Sequence, residues 1–399
     1  MGHQTEVDMI ARSRFALTAL AGYFIAVTCA LTGHASEETV AVAKVVNGMG
    51  IPIVVHQPTS GQGPYPVVFH VHGGGWNGGT STEVPPATVG QEARILCDRL
   101  GIVFVGLAYR CKEQGGTYPL AMSDLQDSVA WFRQRAEAFN ADLSRFGFSG
   151  GSAGAPLSAM MAQQTPQCRS YLGCWGIYDF TNSEESLFPD EEARRRYGLA
   201  SDDEAFEASA FHHLRRPPPA TLLLHGGLDI LTHPSQSLRF REQIEAEGGS
   251  GQAIIFSEMN HNFMSPNNPD AFKKSVLAIS RFYQEQFDLA FDEYAQFERD
   301  LDDMLDGYFP ADSVDEQALL GIWEGKFESL VLSEEGRAEI INRQRRRIPA
   351  AYSTETATIE VTSNDESRTF HLRRDGRAIY EILQDERRAG MKVLYSKRK

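Results

Sequence analysis

The 399 residues include 42% hydrophobic, 23% charged and 10% aromatic side chains, enough apolar surface for one large core or two smaller ones, and this excludes a disordered chain. Thirty-eight Lys and Arg against 53 Asp and Glu give a formal charge of -15, which repels a phosphate backbone or an anionic lipid surface and excludes general nucleic-acid binding. The five cysteines, at 29, 97, 111, 168 and 174, have no C-x-x-C or Cys/His spacing, so a disulfide scaffold and a structural zinc site are excluded as well.

Residues 1–35 read as a secretory signal. Arg12 and Arg14 precede an uncharged run from Phe15 to Leu31, which ends in Gly33-His34-Ala35-Ser36, with small residues where a signal peptidase cuts. A translation start at Met9 would remove Glu6 and Asp8 and leave a basic n-region. The alternative is a single membrane anchor, although 17 residues fall short of the roughly 20 that span hydrocarbon. Export is compatible with a Cys168–Cys174 disulfide and equally with free buried thiols.

From residue 36 to 287 the chain alternates strand and helix. Pro66 to Val71 and Ile102 to Ala108 are short, β-branched apolar runs that predict buried strands, with helical character between them from Gln91 to Leu100. From Leu120 to Phe139, Met122, Leu125, Val129, Phe132, Ala136 and Phe139 recur at three- and four-residue steps, the pattern of one amphipathic helix. Further strands are predicted at Arg145 to Ser149, Leu172 to Tyr178, Thr221 to His225 and Ala253 to Phe256, and a last helix from about Pro269 to Phe287. Such alternation implies an α/β fold, a mostly parallel sheet covered on both faces, whose chemistry lies beyond the carboxyl ends of the strands.

Four strand ends have the residues chemistry needs. The first is followed by His72-Gly73-Gly74-Gly75-Trp76, where missing side chains let backbone N–H groups approach a ligand oxygen. Gly150-Gly151-Ser152-Ala153-Gly154 is a G-x-S-x-G pattern, in which a sharp strand-to-helix turn needs small residues two before and two after the serine. The overlapping match centred on Ser149 is rejected, because a helix starting there would open on Gly-Gly-Ser-Ala-Gly, whereas after Ser152 the ring of Pro156 falls in the first turn. Ser152 is the candidate nucleophile. A serine hydroxyl needs a base and an orienting carboxylate, and Asp229 and His261 follow two later strands in the order Ser, Asp, His. Asp179, directly after Tyr178, is the rival acid.

Over residues 40 to 287 the chain therefore resembles the α/β-hydrolase fold, and within it carboxylesterases of the hormone-sensitive-lipase and bacterial feruloyl and acetylxylan esterase type. The matching motifs are His72 to Trp76, Tyr109-Arg110, Pro119 to Phe132 with Asp124, Asn140-Ala141-Asp142 with Arg145, Gly150 to Gly154, His225 to Asp229 and His261-Asn262-Phe263. Ala108, Ala155 and Asn260 depart from the family's usual residues without removing a catalytic group. The resemblance implies an oxyanion hole from the N–H groups of Gly74, Gly75 and Ala153, and a serine mechanism that requires no metal or organic cofactor. The expected substrate is a small-molecule or polysaccharide-linked ester of a short acyl group, with no nucleic-acid partner and no membrane span in the mature chain. A serine peptidase-like hydrolase and a non-enzymatic binding protein on this scaffold are the alternatives.

Beyond the hydrolase pattern, residues 288–320 open with eight acids against one base, Arg299, by Asp306, and read as an acidic linker helix. Residues 321–399 change to strand-like runs, at Gly321 to Leu330, Ala357 to Val361, Thr369 to Leu372, Ile379 to Leu383 and Lys392 to Tyr395, with turn signals at Ser363-Asn364-Asp365, Asp375-Gly376 and Ala389-Gly390. They predict a small antiparallel β meander, and Gly321-Ile322-Trp323 resembles the opening of lipocalin-like barrels. With 16 Lys and Arg against 13 Asp and Glu this segment is at +3, while the remainder of the chain is at -18.

Overall fold

The computed structural model describes residues 25–27, 36–59, 61–76, 97, 99–182, 194, 197–264, 268–289, 299, 319–325, 328–342, 346–355, 358–363, 366–372, 378–385 and 388–397. Two strands that periodicity had not singled out come first. β2 (Ser36–Val46) and β3 (Met49–Pro58) form a hairpin around Asn47 and Gly48, both at positive φ (50° and 81°), as the two central residues of a type I′ turn require. The Asn-Gly pair between two alternating runs is the sequence signal for it. Ile25–Val27, three residues of the segment read as a leader, form strand β1 and pair antiparallel with Glu38 to Val40 of β2. The rest of that leader lies outside the described residues.

Six further strands follow: β4 (Tyr65–Val71), β5 (Val103–Leu107), β6 (Ala141–Gly151), β7 (Ser170–Cys174), β8 (Ala220–Gly226) and β9 (Gly251–Phe256). The sheet runs β1-β2-β3-β5-β4-β6-β7-β8-β9, parallel from β5 to β9, with β3 antiparallel on β5. Its helices are α1 (Tyr118–Arg133), α2 (Gly154–Gln164), α3 (Asp202–Ala208), α4 (Ser235–Ala246) and α5 (Pro269–Gln286). Strand alternation divides the core between two faces. Val67, Phe69 and Val71 of β4 join Leu125, Val129 and Phe132 of α1 and Leu157 of α2. Val68 faces the other way and joins the core that includes Phe272, Val276, Ile279 and Tyr283 of α5. The architecture is the α/β fold the alternation predicted.

Some expectations shift. The single helix over Leu120 to Phe139 is two pieces, because Arg135 leaves helical backbone (φ -122°, ψ 10°) and Ala136–Phe139 is a separate 3₁₀ turn closed by Asn140 in the left-handed region (φ 48°). The strand expected to reach Tyr178 stops at Cys174, since Trp175 at φ 39° turns the chain out of the sheet. Of the helix expected at Gln91 to Leu100, only Cys97, Arg99 and Leu100 are among the described residues, and they are helical. No disulfide joins Cys168 to Cys174. Both are buried thiols, and burial pushes Cys168 up to about 12.

In the C-terminal part Gly321–Gly325, Glu328–Ser333, Arg337–Asn342, Arg347–Glu355, Thr358–Ser363, Glu366–Leu372, Ala378–Asp385 and Arg388–Lys397 are strands β10 to β17. Each is antiparallel to the next, and β17 returns to β10, so the meander closes into an eight-stranded barrel. The run read as one strand from Gly321 to Leu330 is a hairpin, two strands between Arg337 and Glu355 were not anticipated, and Ala389-Gly390 lies inside β17 instead of at a turn. Period-two patterning places the interior: Ile359 and Val361 are buried while Glu360 and Thr362 are exposed. Of the acidic linker only Asp288, Leu289, Arg299, Leu319 and Leu320 are among the described residues, and Arg299 is helical.

Candidate active site

β6 ends at Gly151 and α2 begins at Gly154, so the reversal from strand to helix falls on Ser152 and Ala153. Ser152 takes φ 52°, a left-handed backbone that costs a non-glycine residue roughly 1–3 kcal/mol. The neighbours hold it there: Ser152 N–H donates to Cys174 O of β7 at 2.9 Å, and Ala155 N–H donates to Ser152 O at 3.0 Å. The turn is tight enough that a Cβ on Gly154 would lie 2.1 Å from Val71 O. The hydroxyl is thus raised above the carboxyl ends of the strands, at the N-terminal end of α2, where unpaired N–H groups and the helix dipole favour negative charge. Ser149, by contrast, lies within β6, buried, 2.9 Å from His70 Nδ1.

His261, on the loop after β9, reaches back to Ser152, with Nε2 2.9 Å from its Oγ. Its Nδ1–H donates to Asp229 Oδ2 at 2.7 Å. Asp229 follows β8 and is 1% exposed, while its Oδ1 accepts from the N–H groups of Leu231 and Thr232 at 2.9 and 3.0 Å. Burial alone would raise this carboxyl. Hydrogen bonds from His225 and then His261 outweigh burial and hold it well below the usual carboxylate range, so it is ionised near neutral pH. Trp175, edge-on to His261 with ring centroids 6.2 Å apart, packs beside the pair. The rival acid is occupied elsewhere: Asp179 accepts from Arg239 Nη2 at 2.6 Å and from the Thr181 N–H at 3.0 Å.

The glycine loop lies against the elbow. Gly73 has no room for a side chain, since a Cβ there would meet Gly151 O at 2.8 Å and Ser152 Cβ at 3.2 Å. Gly74 and Gly75 are at φ 118° and 67°, conformations that turn the backbone as side-chain-bearing residues seldom can. Trp76 closes the loop by donating its indole N–H to Ala153 O at 2.7 Å. His72 donates from Nδ1 to Gly73 O at 2.7 Å, and Tyr109 stacks on His72 at 4.5 Å and donates its hydroxyl to His72 O. Next to Tyr109, Arg110 makes a two-pronged contact with the fully buried Asp124, which Lys44 also approaches at 3.0 Å. Against its burial, Arg110 and then Lys44 keep Asp124 below the usual carboxylate range.

The structure thus brings Ser152, His261 and Asp229 into one hydrogen-bonded line, with the Gly73–Gly75 loop and Ala153 beside the serine. The BD-FAE family matches residues 53–244 of this chain. A solved thermophilic esterase from the planctomycete Thermogutta terrifontis, with propionate bound, superposes with a TM-score of 0.54 at 23% identity, covering 63% of this chain and 96% of its own. The chain has the α/β-hydrolase fold, and relatives that match it in sequence are named as esterases. The probable carboxylic ester hydrolase LipM of Mycobacterium tuberculosis is 23% identical over 249 residues, 56% of this chain and 55% of that one. The carboxylesterase NlhH of the same species is 34% identical over 117 residues, 28% of this chain and 34% of the relative. The chain spans about half the length of the first of these relatives or less. Among the described residues of this chain no helix is long and apolar enough to cross a membrane.

Sequence reasoning had not assigned roles to Thr232, His225, Trp76 or Tyr109. Thr232 Oγ1 stands 2.9 Å from Asp229 Oδ2 and 2.9 Å from Trp175 O, tying the acid loop to the turn after β7. Nothing in the linear spacing marks that residue, because its second partner, Trp175 O, comes from the turn after another strand.

Proposed function

We propose that this chain is a secreted serine carboxylic-ester hydrolase that cleaves short acyl esters through an acyl-enzyme. The observation that carries the reading is the Ser152 Oγ–His261 Nε2 contact of 2.9 Å continued by the His261 Nδ1–Asp229 contact of 2.7 Å. His261 takes the hydroxyl proton as Ser152 attacks the ester carbonyl, and Asp229 holds the resulting imidazolium in place. The N–H groups of Gly74, Gly75 and Ala153 receive the oxyanion, each such donor being worth about 3–4 kcal/mol of barrier. His261 returns the proton to the leaving alcohol, and a water repeats the sequence on the acyl-enzyme.

A short acyl group is supported by the solved relative, whose structures were obtained with propionate and with butyrate bound. The test is an acyl series of p-nitrophenyl esters with the purified protein. Expected is a kcat/KM highest at acetate to butyrate and falling steeply by octanoate, together with fluorophosphonate labelling of Ser152. A preference for long chains, or no turnover of any ester, would overturn it. Acetate release from acetylated xylan tests the polysaccharide-linked substrate. Export, proposed from the apolar run ending at Ala35-Ser36, is checked by N-terminal sequencing of the protein recovered outside the cytoplasm.

A further inference from the structure

The acid of the site is touched by a second imidazole. His225, the penultimate residue of β8, is fully buried, and its Nε2 lies 2.7 Å from Thr232 O and 3.3 Å from Asp229 Oδ2, the same oxygen that accepts from His261. A carbonyl and a carboxylate only accept, so Nε2 carries the proton. Its Nδ1 lies 2.7 Å from Ser237 Oγ on α4. The carboxylate is therefore flanked by two serine–histidine arms, Ser152–His261 on one side and Ser237–His225 on the other. Only the first reaches substrate, for Ser237 is fully buried.

We propose that His225 is the positioning residue of this site, holding the Asp229–Thr232 loop so that Asp229 Oδ2 meets His261 Nδ1. The inference rests on the serine-hydrolase reading above. The loop has little apolar packing of its own: Leu228 and Ile230, on either side of Asp229, are 52% and 46% exposed. What fixes it is polar and buried. The Leu231 and Thr232 amides orient Oδ1, but both belong to the loop they would have to hold. His225, on β8, holds the loop from outside alongside the Thr232 Oγ1–Trp175 O bond, and it is the group that ties Thr232 O while approaching Oδ2. Without it a buried carbonyl loses its donor, the loop shifts, and the imidazole of His261 loses alignment, a displacement that slows chemistry without touching substrate affinity.

The experiment compares His225→Leu, which removes the donor, with His225→Gln, whose amide N–H reaches the same acceptors. Expected for the leucine variant is a kcat on p-nitrophenyl acetate lower by about 30-fold with KM within about two-fold, and fluorophosphonate labelling slowed by the same factor. The downfield proton resonance of His261 Nδ1–H should move or broaden. The glutamine variant should recover to within about three-fold of the parent kcat and restore the resonance. A leucine variant as fast as the parent, or a glutamine variant as slow as the leucine one, would overturn the positioning role. Should neither variant fold, ¹⁵N spectra of the imidazoles in the unaltered protein decide. His225 is expected to carry a proton on Nε2 and His261 one on Nδ1, while an Nε2 of His225 that bears no proton refutes the proposal. An unaltered protein that neither hydrolyses esters nor labels at Ser152 would instead sink the hydrolase reading, and the ¹⁵N result would still stand for His225.

Discussion

The parallel sheet and the C-terminal barrel use strands in opposite ways. In the sheet, parallel strands bring the ends of β4, β6, β8 and β9 to one edge, so residues as far apart as Gly73, Ser152, Asp229 and His261 meet where the backbone is free to turn. In the barrel every strand pairs with its sequence neighbour and the first with the last. Among its described side chains Trp323, Leu330, Leu332, Tyr352, Ile359, Val361 and Phe370 are buried in one cluster. One arrangement gathers polar groups at an open edge, and the other spends its alternation on packing. Net charge follows the same division, -18 outside residues 321–399 and +3 within them.

The largest effects should come from the sheet edge. Ser152→Ala is expected to lower kcat by 10⁴-fold or more, roughly the cost of removing a triad member, and to abolish fluorophosphonate labelling, while Ser149→Ala keeps the label. A probe attached to Ser149 would move the nucleophile into the strand. Asp229→Asn should cost on the order of 10⁴ in kcat, whereas Asp179→Asn should stay within about three-fold, because Asp179 already neutralises Arg239. The reverse ranking, read from the same ester assay, would transfer the acid to the segment that follows β7.

Stability separates the two regions next. His70 in β4 is pulled down to about 3, by burial first and by neighbouring His72 second. It is neutral in the folded chain and binds a proton once unfolded below its ordinary value of 6.5, so its contribution is complete above that pH and lost as pH falls from there toward 3. The urea midpoint of the sheet region should therefore drop between pH 7 and pH 4, and His70→Gln should flatten that slope. An unchanged slope would mean that His70 does not govern the acid sensitivity of the sheet.

The smallest effect on catalysis is expected from the barrel. Trp323→Ala removes a fully buried side chain and should cost about 3–5 kcal/mol of barrel stability while kcat on p-nitrophenyl acetate stays within about two-fold. A chain ending near Pro310 should fold, keep the same kcat, and lose whatever affinity the full chain has for an insoluble polysaccharide. An inactive or insoluble truncation would show that the barrel completes the core of the sheet region, and equal polymer binding by both chains would remove its targeting role.

Linear spacing made much of this molecule legible. The apolar β-branched run before His72, the glycines around Ser152 and the order of Asp229 and His261 are local patterns, each imposed by a constraint within a few residues: burial on both faces of a strand, a tight turn, a strand end. The Asn47-Gly48 hairpin was equally local, and its signal stood in the sequence unread. The limits of α1 and β7 were not so marked, because Arg135 and Trp175 leave their elements through backbone angles that their side chains do not announce.

What the sequence determined by itself is the alternating α/β layout, the candidate nucleophile, acid and base in order, and the change to short antiparallel strands after Gly321. What only the tertiary structure decided is which groups share a carboxylate and which strands share an edge. Asp179 and Asp229 have similar settings along the chain, each just after a strand. Only the folded chain sets Arg239 on the first and His261 on the second, and only closure of β17 onto β10 makes the meander a barrel. The physical reason is the same in both cases: hydrogen bonds and ion pairs form between groups brought close by packing, at separations of tens to hundreds of residues that no local pattern encodes.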